Sequence, residues 1–187
     1  MDLAILRKLL TGRASTVVAV WLLSATVPAQ VNPNSPKMAV LHATVTITGG
    51  LAFTGSYDDH VAFRTCADLA KGGTTPPTGL NKALFRVPEP PNNKTGLGGP
   101  VGGGHTFSSD VAAYPYHGPD TYTGAALSAT QMYVDTPPDS QDTHIFAFPT
   151  GIGTLIVRPD ASGSFQFNGL QDPGSVKISG QVTWTCS

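Results

Sequence analysis

The sequence predicts an all-β fold, an antiparallel sandwich or open barrel, on three observations. Apolar and polar residues alternate with period two in its clearest segments, the pattern of a half-buried strand. Short turns rich in Gly, Pro and Asp separate those segments, as in sandwiches and barrels. No long stretch carries the 3.6-residue period of an amphipathic helix, and residues 67–71 are the one stretch that reads as a helical turn.

Taken in order, Leu41, Ala43, Val45 and Ile47 alternate with His42, Thr44, Thr46 and Thr48, so residues 39–48 form a strand with one apolar face. Gly49 and Gly50 end it, and residues 51–56 turn back into a second strand. Residues 61–66 read as a third. If Val61 and Phe63 point inward there, Cys66 falls on the outward set unless the strand bulges or stops before it. Between residues 71 and 105 the composition changes to Gly and Pro, with 84–87 the only part able to pair as a short strand. Such a stretch has little apolar surface to offset the entropy of ordering it. Residues 72–104 are therefore expected to be a mobile surface insertion, replaceable by a short linker without loss of folding.

Beyond it, a strand opens at Thr121-Tyr122-Thr123, residues 126–134 alternate weakly, and 144–148 form a short strand. Residues 154–158 and 164–168 make a hairpin with Phe165 and Phe167 on one face. In the last strand Val176, Ile178, Gly180, Val182, Trp184 and Cys186 share a face. A one-residue slip would turn Trp184 and Cys186 to solvent, so that register is strongly specified.

The 187 residues fit a single domain. Arg7, Lys8 and Arg13, the apolar run 17–23 and the small residues around Val27 and Ala29 have the order of a cleavable secretory signal. The run is far shorter than the ~20 residues a bilayer span needs. The expected organisation is a signal peptide over 1–29, a flexible arm over 30–38 and one β domain over 39–187. Cleavage would remove three of 11 Lys/Arg and one of 12 Asp/Glu, leaving a mildly acidic chain. That balance argues against nucleic acid as a partner. No transmembrane segment is expected after cleavage, and the chain is expected to be secreted.

The only cysteines are Cys66 and Cys186. In an oxidising compartment two cysteines most simply pair, which ties an early segment to the last strand beside Trp184. Loss of the bridge is expected to fray that strand end and redshift Trp184 emission. A bridge next to a buried Trp echoes the architecture of immunoglobulin-like sandwiches, although the Cys…Trp…Cys order of true immunoglobulin domains is absent.

Four landmarks carry a resemblance: Thr46-Ile-Thr-Gly-Gly50 leading to Cys66, residues 116–124 (YHGPDTYTG), residues 160–165 (DASGSF) and the ending 178–186 (ISGQVTWTC). Together they resemble a group of small exported proteins and lipoproteins of high-GC Gram-positive bacteria, some of them lipid-anchored surface antigens with one disulfide. The resemblance implies no settled activity. This chain lacks the Cys of a lipobox near the cut, so lipid attachment is not implied.

Few residues suggest chemistry. Asp58, Asp59 and His60, and separately Asp135, Asp139, Asp142 and His144, are candidate metal ligands by type. Neither group has the Asp-x-Asp-x-Asp-Gly pattern of a calcium loop or a zinc spacing, and turn-forming Asp residues that bond their own backbone are the better reading of both. A hydrolase needs a nucleophile, a base and an orienter, and no G-x-S-x-G is present. No catalytic residue and no cofactor is therefore assigned. Tyr57, Tyr114, Tyr116, Tyr122 and Tyr133 suit either β packing or a binding surface. The expected function is that of an exported, non-catalytic module acting on an envelope or extracellular partner. The alternatives are a secreted hydrolase with a cleft beneath the Gly/Pro-rich loop and a calcium-dependent adhesion domain.

Overall fold

The computed structural model describes residues 38–62, 64–91, 98–135, 143–149 and 152–187. The expected signal peptide and the arm, apart from Met38, lie outside them, as do Asp139 and Asp142.

Alternation in the chain becomes one inward face per strand. The first strand, β1 (Ala39–Gly49), buries Leu41, Ala43, Val45 and Ile47. It pairs antiparallel with β2 (Phe53–Val61) on one side and with the last strand, β11 (Lys177–Cys186), on the other. A helix follows β2, α1 (Cys66–Gly72). Next come the short strands β3 (Phe85–Arg86) and β4 (Gly99–Pro100), then β5 (Thr106–Ala113), β6 (Asp120–Thr123), β7 (Leu127–Asp135), β8 (Thr143–Ala147), β9 (Thr154–Val157) and β10 (Gly163–Gln171).

Among the described residues these strands form two antiparallel sheets packed face to face, an all-β sandwich. One sheet runs β2-β1-β11-β10-β9-β6, and the other runs β3-β5-β7-β8 with β4 also paired to β5. In the first sheet the pairing aligns an inward row, Gly55, Val45, Val182, Phe165, Leu155 and Tyr122, one residue from each strand. Phe85, Phe107, Met132, Val134 and Phe146 face it from the second sheet, all fully buried. In β10 the register shifts between Phe167 and Leu170. The extra residue returns Leu170 to the inward side.

Two expectations are corrected. Residues 61–66 do not make a third strand: β2 ends at Val61 and Cys66 opens α1. Thr65 caps the helix, its hydroxyl accepting from the Asp68 N–H at 3.2 Å while the Asp68 carboxylate accepts from the Thr65 N–H at 3.1 Å. This reciprocal capping box satisfies N–H groups that a helix start leaves open. The bridge Cys66–Cys186 thus joins the first residue of a capped helix to the end of β11. Trp184 is buried on the same face of β11, donating its indole N–H to the Ala161 carbonyl at 2.8 Å and stacking with Phe85 at 6.0 Å.

The second correction concerns residues 72–104. Phe85, Val87 and Val101 from this stretch are fully buried in the core. Gly55 of β2 faces the Val101 carbonyl so closely that a Cβ there would collide with backbone. A sheet residue without a side chain is what lets this segment lie directly against β2. Gly55→Val should therefore cost about 1–3 kcal/mol through overpacking, read as a drop in the urea midpoint with little change in slope.

Candidate functional site

Strand pairing places the polar face of the larger sheet outward. There β1, β2 and the residue after β11 bring together three side chains that are distant in sequence. His42 lies opposite Asp58 in the β1–β2 ladder and opposite Thr185 in the β1–β11 ladder. The Nδ1 of His42 is 2.7 Å from Asp58 Oδ1, and its Nε2 is 2.9 Å from the Ser187 hydroxyl. Ser187 is held in line by two backbone bonds with Val40, N–H to carbonyl in each direction at 3.0 Å. A carboxylate, an imidazole and a hydroxyl in that order are the parts of an orienter, a base and a nucleophile. His42 and Asp58 side chains are 49% and 52% exposed, so the row stands on open surface.

The expected metal cluster Asp58, Asp59 and His60 is not assembled. Alternation turns Asp58 and His60 to the outer face, while Asp59 points the other way and accepts the Glu89 N–H at 3.2 Å. Burial raises the Asp59 and Glu89 carboxyls above their ordinary ranges, Arg86 at 3.5 Å from Glu89 partly offsetting this. In the second group Asp135 accepts the Thr106 hydroxyl at 2.9 Å. His144 pairs with Asp172 at 2.6 Å, while Asp139 and Asp142 lie outside the described residues. Among the described residues no three His, Cys, Asp or Glu side chains are placed to hold a metal ion.

The His144–Asp172 pair links β8 of one sheet to the turn after β10 of the other. Asp172 is 6% exposed at its side chain and also accepts the Val176 N–H at 2.7 Å. The His144 hydrogen bond holds its carboxyl below the usual range. A carboxyl depressed in the fold adds stability that is present above its unfolded pKa and lost as pH falls through the folded value. Asp172→Asn should therefore flatten the acid side of the melting-temperature profile between about pH 5 and pH 2. An unchanged acid limb would assign it to other carboxyls, such as Asp68 and Asp160, which local hydrogen bonds also depress.

Three of the five tyrosines serve packing. Tyr57, Tyr116 and Tyr122 are buried, with hydroxyls donating to the carbonyls of Pro88, Ala70 and Gly118. Burial, then the charges of Asp59 and Glu89, push the Tyr57 phenol far up. Tyr114 is exposed and Tyr133 half-buried.

Grooves of 490, 450 and 320 Å³ mark the surface. The smallest borders the Gly/Pro-rich stretch at Thr75, Leu84 and Arg86, across from Asp110. None of the three is lined by a His. No helix among the described residues is long and apolar enough to cross a membrane. Comparison with protein-family models, curated proteins and solved structures finds no match.

Proposed function

We propose that this chain is an exported β-sandwich working in the cell envelope or the extracellular space, as a surface-acting binding or structural module. The observation that carries the reading is the Cys66–Cys186 bridge, which closes residues 120 apart in sequence. Such bridges persist where the compartment is oxidising and are rare in a reducing cytosol. The order of charge, apolar run and small residues over 1–29 supports the same compartment. The motif resemblance to small exported proteins of high-GC Gram-positive bacteria supports an envelope setting. A packed core with shallow grooves favours action through the surface over chemistry in an enclosed pocket.

Two measurements test the reading. N-terminal sequencing of secreted protein should begin within a few residues of Gln30, and intact Met1 there would refute cleavage. The oxidised mature protein, immobilised and exposed to fractionated envelope from its own host, should retain a defined component that reduced, unfolded protein does not. Equal retention by both forms would refute a folded binding surface.

A further inference from the structure

The row on the outer sheet face has a chemical consequence separate from any binding role. We propose that Ser187 is a nucleophile, and that Asp58, His42 and Ser187 together accept acyl groups from small activated esters. Four observations support this. The hydroxyl and the imidazole are 2.9 Å apart, and the imidazole and the carboxylate 2.7 Å apart. Those are hydrogen-bond distances for a base that is itself oriented. His42 and Asp58 face each other in the β1–β2 register, and Ser187, the residue after β11, is fixed beside them by its two backbone bonds with Val40. Ser187 is exposed, so an ester can reach its Oγ.

The chemistry is that of acyl transfer. With the Nδ1 proton directed at Asp58, the Nε2 lone pair faces the Ser187 hydroxyl. Attack of Oγ on the ester carbonyl forms the C–O bond as the hydroxyl proton passes to Nε2. Collapse of the tetrahedral species breaks the bond to the leaving oxygen, which departs as an alcohol or phenol carrying that proton. Water then attacks the acyl-serine, His42 takes its proton and returns it to Oγ, and a carboxylic acid is released. Asp58 is a positioning residue: it fixes the tautomer and the ring plane.

The surroundings define the substrate class. None of the three grooves described above is lined by Asp58, His42 or Ser187, so they offer no selectivity for a long acyl chain, and small esters with good leaving groups fit best. The Val40 and Ser187 N–H groups are bonded to each other's carbonyls, which leaves water to solvate the oxyanion. General-base assistance contributes about 10²–10⁴-fold, while the Val40 and Ser187 N–H groups do not add the roughly 10²–10³-fold of an oxyanion-hole donor. The reaction is therefore slow but directed to one serine.

The test treats the oxidised protein, residues 30–187, with an alkyl fluorophosphonate and, separately, with p-nitrophenyl acetate. Intact mass should show one phosphonyl adduct, mapped by peptide analysis to Ser187, and Ser187→Ala should gain none. His42→Gln should label at least tenfold more slowly with an unchanged melting temperature, as expected for an exposed residue. Asp58→Asn should also slow labelling, and Asp58→Glu should recover part of the rate. Absence of an adduct on wild-type Ser187, equal labelling of several serines, or a wild-type rate in His42→Gln would each overturn the proposal.

Discussion

A chain in which a short Gly/Ser linker replaces residues 72–104 should fail to fold, giving no cooperative melting transition. The replacement removes Phe85, Val87 and Val101, each fully buried. A Phe→Ala truncation in a core costs about 3–5 kcal/mol, and each buried Val contributes roughly 1.5–3 kcal/mol. It also strips the Pro88 carbonyl from the buried Tyr57 hydroxyl, and an unsatisfied buried donor costs about 1–3 kcal/mol more. The sum matches a typical total stability of about 5–15 kcal/mol. Phe85→Ala alone separates core loss from loop loss: it should lower stability by about 3–5 kcal/mol while leaving the chain connectivity intact. A linker variant that melted within a few degrees of wild type would show that these side chains do not hold the sheets together.

Cys66→Ser combined with Cys186→Ser should lower stability by up to about 4–5 kcal/mol, the chain-entropy value for a loop of this length. The effect acts largely on the unfolded chain, which regains the freedom the bridge removed. Trp184 emission in the folded variant should accordingly stay blue, contrary to the redshift expected from a fraying strand end. β11 is interior to its sheet, paired with β1 and β10, and the Trp184 indole keeps its bond to Ala161. The expected readout is a lower urea midpoint with native emission below it. A red-shifted native baseline would mean that the bridge holds the strand end in place.

The strands that were legible in the sequence are those with β-branched or aromatic residues on one face and hydroxyls on the other. Leu41 to Ile47 and Ile178 to Trp184 come close to that rule, with Val, Ile and Trp inward and Thr and Ser outward at most positions, and they became the paired centre of the larger sheet. β5 was missed because its inward set is Phe107, Ser109, Val111 and Ala113, in which one polar and one small residue dilute the alternation. The register shift opposite Ser109 and Val111 puts its extra residue in β7, between Ala129 and Met132, and so weakens the alternation of that strand. The core role of Phe85, Val87 and Val101 was hidden for a different reason. Gly and Pro normally mark exposed turns, yet here Gly55 opposite and Gly99 within the segment allow backbone to pack on backbone.

The outer row was illegible in another way. Alternation places His42 and Asp58 outward, but neighbouring them requires the β1–β2 register. Bringing in Ser187 requires a β1–β11 pairing across a separation of 145 residues. No spacing motif encodes contacts that only a sheet order creates. The disulfide partners, by contrast, were the only two cysteines and left a single pairing to consider.

The adjacency of β1 and β11 also governs when this molecule can exist as a folded object. β1 is an interior strand, and one of its two neighbours is the last strand of the chain. Until β11 has been synthesised, β1 has an open edge and its sheet has a gap between β1 and β10. Nascent chains of every shorter length therefore carry an incomplete sheet, and the contacts that close it are the most distant ones. Chains dominated by such pairings fold on the slow end of the range, in milliseconds to seconds. Oxidation of Cys66 with Cys186 has to wait for the same late strand. Sheet closure, bridge formation and the meeting of His42 with Ser187 thus all depend on β11 reaching β1.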